Sequence, residues 1–201
     1  MKGMSQHVEN NHPKNNFLKQ VIYMIGLPGV GKTTVGKLIA KRTGFVLLDH
    51  NIMYKEICCF LEKGTYAAHL LNGRMHLVIM NLLLMQSPIP GIICTMSIRY
   101  EPTSQTVRNA TRMIKHAGAK VNFVKLECDW NEHKRRILMP SRQGLNKTNT
   151  VAKLKKYMNG ACFNGLKKFP PLVINNTRLP ANKCAKKIIN AFGLPERTPA
   201  R

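Results

Sequence analysis

The chain has 201 residues, enough for one α/β domain with a sizeable core, and its longest apolar runs, such as Leu82 to Met85, are far too short for a membrane-spanning helix. Charge is the outlying property: 32 Lys and Arg against 9 Asp and Glu give a net +23, and from His133 to Pro195 there are 14 basic residues and no acidic one. Such a field attracts nucleotides, phosphorylated metabolites, RNA and anionic membranes alike, so it names a sign and not a partner.

Residues 1–17 are polar, rich in Asn and His, and lack the apolar core of a secretory signal, so they read as a disordered leader on a cytoplasmic protein. Six cysteines, Cys58, Cys59, Cys94, Cys128, Cys162 and Cys184, show no C-x-x-C spacing, which argues against zinc and dithiol sites and for buried free thiols in a reducing compartment. From there the pattern is that of one α/β domain over residues 18–194, followed by a tail at 195–201. Val21 to Ile25 is a short β-rich run that stops at glycine, and after a loop Val35, Leu38 and Ile39 recur at helical spacing until Gly44. Phe45 to Leu48 is a second strand, with helices expected around Ile52 to Leu61 and Ala68 to Met85.

Gly91 to Met96 is a third strand. Val107, Ala110, Ile114 and Ala117 make the buried face of the next helix, which Gly118 ends, with Arg108, Arg112 and Lys115 on its other side. Val121 to Glu127 is a fourth strand, and Asp129 with Glu132 has the spacing of a capping box opening a helix through Ile137. Residues 139–150 lack apolar periodicity and carry Pro, Gly, Ser, Asn and basic residues, which predicts a mobile basic lid. Leu172 to Ile174 is the last strand and Ala181 to Phe192 the closing helix, with Lys183, Lys186 and Lys187 on a solvated face.

The first loop carries the chemistry. Gly26-Leu27-Pro28-Gly29-Val30-Gly31-Lys32-Thr33 matches the phosphate-binding pattern G-x-x-x-x-G-K-[ST], between a strand and a helix as that pattern requires. Its glycines let successive amides turn inward toward phosphate oxygens, at a helix start continued by Thr34. Lys32 supplies positive charge to the β- and γ-phosphates of ATP, and the Thr33 hydroxyl completes a Mg²⁺ shell. Asp49 ends the second strand, on the side where open α/β sheets bind ligands, and suits Mg²⁺ coordination, acceptance of a proton, or capping of the following helix. Arg135, Arg136, Arg142 and Lys147 flank or occupy the lid, where closing arginines can stabilise a transferring phosphoryl group.

Taken together, this loop, Asp49 seventeen residues after Lys32, and the basic lid before a final strand resemble the shikimate kinase-like and adenylate kinase-like P-loop kinases. The resemblance spans roughly Val21 to Leu194. It implies a three-layer domain with five parallel strands in the order 2-3-1-4-5, Arg136 and Arg142 facing the nucleotide, and Arg178, Leu179 and Pro180 near the adenine. It also makes Asn51 and Arg99 the candidate acceptor contacts.

Three departures narrow it. Asn51 stands where shikimate kinases carry a second aspartate, and Thr95-Met96-Ser97 replaces their glycine-rich turn, so shikimate is not the expected acceptor. The third strand ends without the acid of a Walker B motif, leaving Mg²⁺ to Thr33, phosphate, water and Asp49. The leading expectation is an ATP- and Mg²⁺-dependent kinase acting on a small molecule, nucleoside or nucleotide. A nucleic-acid-directed kinase or RNA-associated NTPase, motivated by the charge, and a non-catalytic nucleotide-binding protein are the alternatives; low aromatic content, 6%, weighs against the RNA reading.

Overall fold

The computed structural model describes residues 18–86, 88–97, 101–143, 147–159 and 170–197, without the side chains of residues 86 and 101–106. The leader, Arg99, Cys162, lid positions 144–146 and the end of the tail lie outside the described residues.

Five strands form one parallel sheet: β1 (Gln20–Ile25), β2 (Val46–Asp49), β3 (Gly91–Met96), β4 (Lys120–Glu127) and β5 (Leu172–Asn175). Their order is β2-β3-β1-β4-β5, as the resemblance implies. β1 is central because every residue after Gln20 is apolar and buried, as a strand covered on both faces requires. Its alternate residues serve two cores. Val21, Tyr23 and Ile25 pack with α3 (Tyr66–Gln86) and α4 (Glu101–His116), while Ile22 and Met24 pack with α1 (Lys32–Thr43) and α7 (Ala181–Phe192). Three further helices, α2 (His50–Ile57), α5 (Trp130–Ile137) and α6 (Val151–Asn159), lie around the carboxyl ends of the strands and between them.

The strand order reverses beside β1, so a crevice opens where the chain leaves β1, β3 and β4. Gly26 begins that exit with φ 148°, and a Cβ there would strike the carbonyl oxygen of Leu126 on β4.

Several local expectations need correction. Asp129 does sit at the N-cap of α5, but its side chain makes no capping bond; its Oδ1 accepts from Asn175 Nδ2 at 3.2 Å. Glu132 is instead engaged by Arg135 and Arg136, because in this basic segment it is the acid within reach of both guanidinium groups. Helix α2 begins at His50 and ends at Ile57, earlier at both ends than its apolar spacing suggested, since Asp49 caps it. Helix α6 follows the segment expected to be a lid, although no helix was expected there, and a 3-10 turn at Pro140–Arg142 lies at the start of that segment. Among the described cysteines all are free, but only Cys94 and Cys184 are buried, and Cys59 is exposed.

Gly26→Ala is expected to lower stability by roughly 2 kcal/mol or more, since it combines an unfavourable backbone angle with a collision against a strand backbone. Gly118→Ala, also at positive φ but in open space, should cost about 1 kcal/mol. Urea unfolding of both variants checks the difference.

Candidate functional site

The glycine loop joins β1 to α1 and turns on Gly29 and Gly31, both at positive φ. Gly31 is the N-cap of α1 and no side chain caps that helix, nor does its first turn hold an acid, so its leading amides remain open to an anion.

Lys32 lies within this turn. Its ammonium donates to the carbonyl oxygens of Gly26 at 2.7 Å and Leu27 at 2.9 Å, and to Ser97 Oγ at 3.1 Å. Burial pushes its pKa down to about 7, against the pull of the Asp49 carboxylate and with a small further push from Arg142. The Ser97 hydroxyl also lies 3.2 Å from Gly26 O, tying the end of β3 to the loop.

Asp49 is buried at the end of β2. Its Oδ2 accepts from Thr33 Oγ1 at 2.8 Å. Its Oδ1 accepts from Thr95 Oγ1 at 3.1 Å and from both the backbone and side-chain nitrogens of Asn51 at 3.0 Å. Burial raises the carboxyl pKa, but these donors together outweigh it and hold the group below its ordinary value, so it stays ionised. Capping of α2 and contact with the loop threonine therefore coexist in one side chain.

Thr95, paired in register with Asp49, occupies the end of β3 where an acid was missed in the sequence. An Asp carboxylate beside a Thr hydroxyl fits Mg²⁺, which takes few protein oxygens and completes its shell with phosphate and water. Among the described residues no cluster of three or more His, Cys, Asp or Glu side chains offers a metal site of its own.

The other side of the loop is braced from α5 and from the end of β5. His133, buried and with its pKa lowered chiefly by that burial, donates through Nε2 to Pro28 O at 2.6 Å. Arg136 donates to Asn176 Oδ1 at 2.8 Å, to Asn176 O at 2.9 Å and to Glu132 at 2.7 Å. Asn176 Nδ2 in turn reaches Val30 O at 2.8 Å. With the carbonyls of Gly26, Leu27, Pro28 and Val30 thus engaged, the loop is left to offer N–H groups to the crevice.

Much of this set opens into one cavity of about 920 Å³; Gly26, Leu27, Val30 and Asp49 are not among its lining residues, and Asp49 meets it through its bond with Thr33. Pro28, Gly29, Gly31, Lys32, Thr33, Thr34, Asn51, Arg136 and Arg142 all line it, as does Leu179. Arg178 and Pro180 are exposed beside Leu179 and outside the cavity wall. Arg142, on the 3-10 turn, donates through Nε to Thr148 O at 2.9 Å, and burial lowers its pKa. Sequence reasoning missed Ser97, Thr95, His133 and Asn176. Of these, Thr95 and Asn176 carried the detectable signal, a polar residue at the carboxyl end of an apolar strand.

The fold recurs in solved kinases and their relatives. The Deinococcus radiodurans tunicamycin resistance protein aligns with a TM-score of 0.63 at 17% identity, covering 90% of this chain and 99% of its own. Shikimate kinase from Acinetobacter baumannii, in complex with shikimate, gives 0.58 at 20% identity, covering 87% and 93%. APS kinase from Mycobacterium tuberculosis, in complex with AMPPNP and APS, gives 0.62 at 17% identity, covering 88% and 99%. No curated protein sequence matches significantly. A family model described as an AAA domain matches residues 21–160, from the first strand of the P-loop sheet through α6, and the chain therefore belongs to the AAA domain family.

Proposed function

We propose that the protein is a cytoplasmic, ATP-dependent phosphotransferase that moves the γ-phosphate of ATP to a hydroxyl of a small-molecule, nucleoside or nucleotide acceptor. The observation that carries this reading is the continuity of the cavity. The same space is lined by the phosphate loop, by Asn176 and Leu179 on one side, and by residues of α2 and α3 on the other, so a nucleotide and a second molecule can lie end to end over Lys32. The shared fold of shikimate kinase and APS kinase supports the same reading.

In this mechanism the loop amides and Lys32 bind the β- and γ-phosphates, while Thr33 and Asp49 would hold Mg²⁺, which supplies charge neutralisation at the phosphate oxygens. The acceptor oxygen bonds to the γ-phosphorus, the bond from that phosphorus to the β–γ bridging oxygen breaks, and ADP leaves with the electron pair. The acceptor proton passes to solvent. Arg136 positions the loop through Asn176, and Arg142 closes on the developing charge. Leu179, which lines the cavity, bounds the adenine end, with Arg178 and Pro180 exposed beside it, and Asn51, whose amide donates to Asp49, lines the acceptor side.

Incubation with ATP, Mg²⁺ and a fractionated metabolite and RNA pool tests the reading. A phosphorylated small molecule supports it, a labelled RNA end supports the reading that the basic charge favours, and no product supports binding without catalysis.

Lys32→Ala should remove tight binding of ATP and Mg²⁺ while the protein stays folded, as calorimetry on the folded variant will show; unchanged affinity would remove the loop as the phosphate site. Asp49→Asn keeps a capping side chain, so its thermal midpoint should remain near wild type while turnover falls at least ~10²-fold. Asp49→Ala should in addition lose about 1 kcal/mol of stability with the cap. Arg142→Ala should lower the turnover rate by the equivalent of ~2–4 kcal/mol of transition-state stabilisation, with a smaller change in ATP affinity. Steady-state kinetics beside binding isotherms separates the two effects.

A further inference from the structure

Helix α3 is 21 residues long and holds one formal charge, Arg74, in a chain of net +23. A helix apolar on nearly every side belongs in an interior. Two of its sides are covered. Met80 and Leu84 are buried in the core that β1 shares with α4, while Leu70, Gly73 and Leu77 line the cavity. The remaining side faces solvent. Leu71, Met75, Val78, Leu82 and Met85 are 38% to 67% exposed, and none of them lines the cavity.

These five positions follow one another at intervals of four, three, four and three. That is a mean repeat of 3.5, at which side chains keep to one seam and interlock with those of a second helix. The core and the cavity draw on other positions of α3, so neither accounts for the repeat. The seam runs about 21 Å along the helix. Its exposed apolar surface is roughly 400–500 Å², the size at which a patch on a single chain marks an interaction site. Pairing the seam with itself removes about twice that from water, close to the ~1,000 Å² at which specific interfaces begin.

Charge selects the occupant. Two copies of a strongly basic chain repel across most of their surfaces, and α3 is a face on which contact brings no Asp, Glu or Lys and a single Arg from each side. Interface centres are likewise poor in charge and rich in Met. A helix lying in a membrane surface carries Lys and Arg along its polar face, which α3 does not, and among the described residues no helix is long and apolar enough to cross a membrane. A second copy brings a seam of the same length and spacing, and twofold symmetry makes the two complementary.

We propose that the protein forms a symmetric dimer through the outer side of α3, packed antiparallel against the same helix of a second copy with Val78 near the axis. The contact covers the back of a helix whose opposite side walls the cavity, and it stands independently of the phosphotransferase reading.

Sedimentation equilibrium of the full chain over a micromolar range, at low and high salt, tests it. The mass is expected to approach twice the 22.7 kDa of one chain. The dimer should tighten as salt rises, because salt screens the repulsion between basic surfaces and leaves apolar contact intact. Val78→Lys sets like charges against each other at the axis and should weaken dimerisation by at least ~10²-fold with an unchanged circular dichroism spectrum. Leu82→Lys on the same seam repeats the test if that variant fails to fold. Phe60→Lys adds the same charge at an exposed apolar residue off the seam and should leave the dimer intact. A monomer at every concentration overturns the proposal, including one that binds lipid vesicles through the seam. So does a dimer that both seam variants leave unaltered, one that Phe60→Lys dissociates equally, or one that weakens as salt rises.

Discussion

An ammonium group enclosed at the end of a parallel sheet has to be surrounded by oxygen, and much of this molecule's arrangement meets that demand for Lys32. Two of its bonds go to carbonyls of the loop that follows β1, and the third goes to Ser97 after β3. Asp49, at the end of β2, supplies the compensating charge without a direct bond, and the electrostatic pull of the carboxylate keeps the lysine pKa from falling further under burial. The ends of three adjacent strands are thereby committed to one side chain. Substitution at any of them acts on Lys32 even where the substituted residue never meets a ligand.

The opposite side of the loop follows a different logic. There the bracing groups are donors, His133, Arg136 and Asn176, and what they hold are backbone carbonyls. A glycine-rich loop has little conformational preference of its own, so its shape is imposed by what grips it. Gripping carbonyls from both sides leaves amides as the unengaged groups, and that is the polarity a phosphate requires. Arg136 is thus tied to the end of β5 and Arg142 to the backbone of Thr148, although the sequence presents them as equivalent basic residues.

The sheet was legible because its signal is strong in one dimension. Five apolar runs bounded by glycine, proline or a polar residue fall within a residue or two of the observed strands, and the glycine pattern located the turn between β1 and α1. The strand order came with the resemblance, since nothing in the local sequence encodes which strands become neighbours. What was illegible depended on contacts distant in sequence. Asp129 and Glu132 have capping-box spacing, yet Asn175 and the two arginines offered them other partners. Helix α6 has too few buried positions to announce itself, with Leu154 alone fully buried along it. His133 stands in a charged stretch of helix and gave no sign of the carbonyl it would meet 105 positions earlier.

The bond between Asn176 and Val30 spans 146 positions of chain. A ribosome adding ~5–20 residues per second takes roughly 7 to 29 seconds to cover that interval, during which the complete loop motif exists without its far brace. Nucleotide that binds only the braced loop cannot assist the chain through that period, because a ligand stabilises a fold only in the state that binds it. The chain reaches its last strand on sheet pairing and core packing, and an anion that requires the braced loop would stabilise only the finished fold.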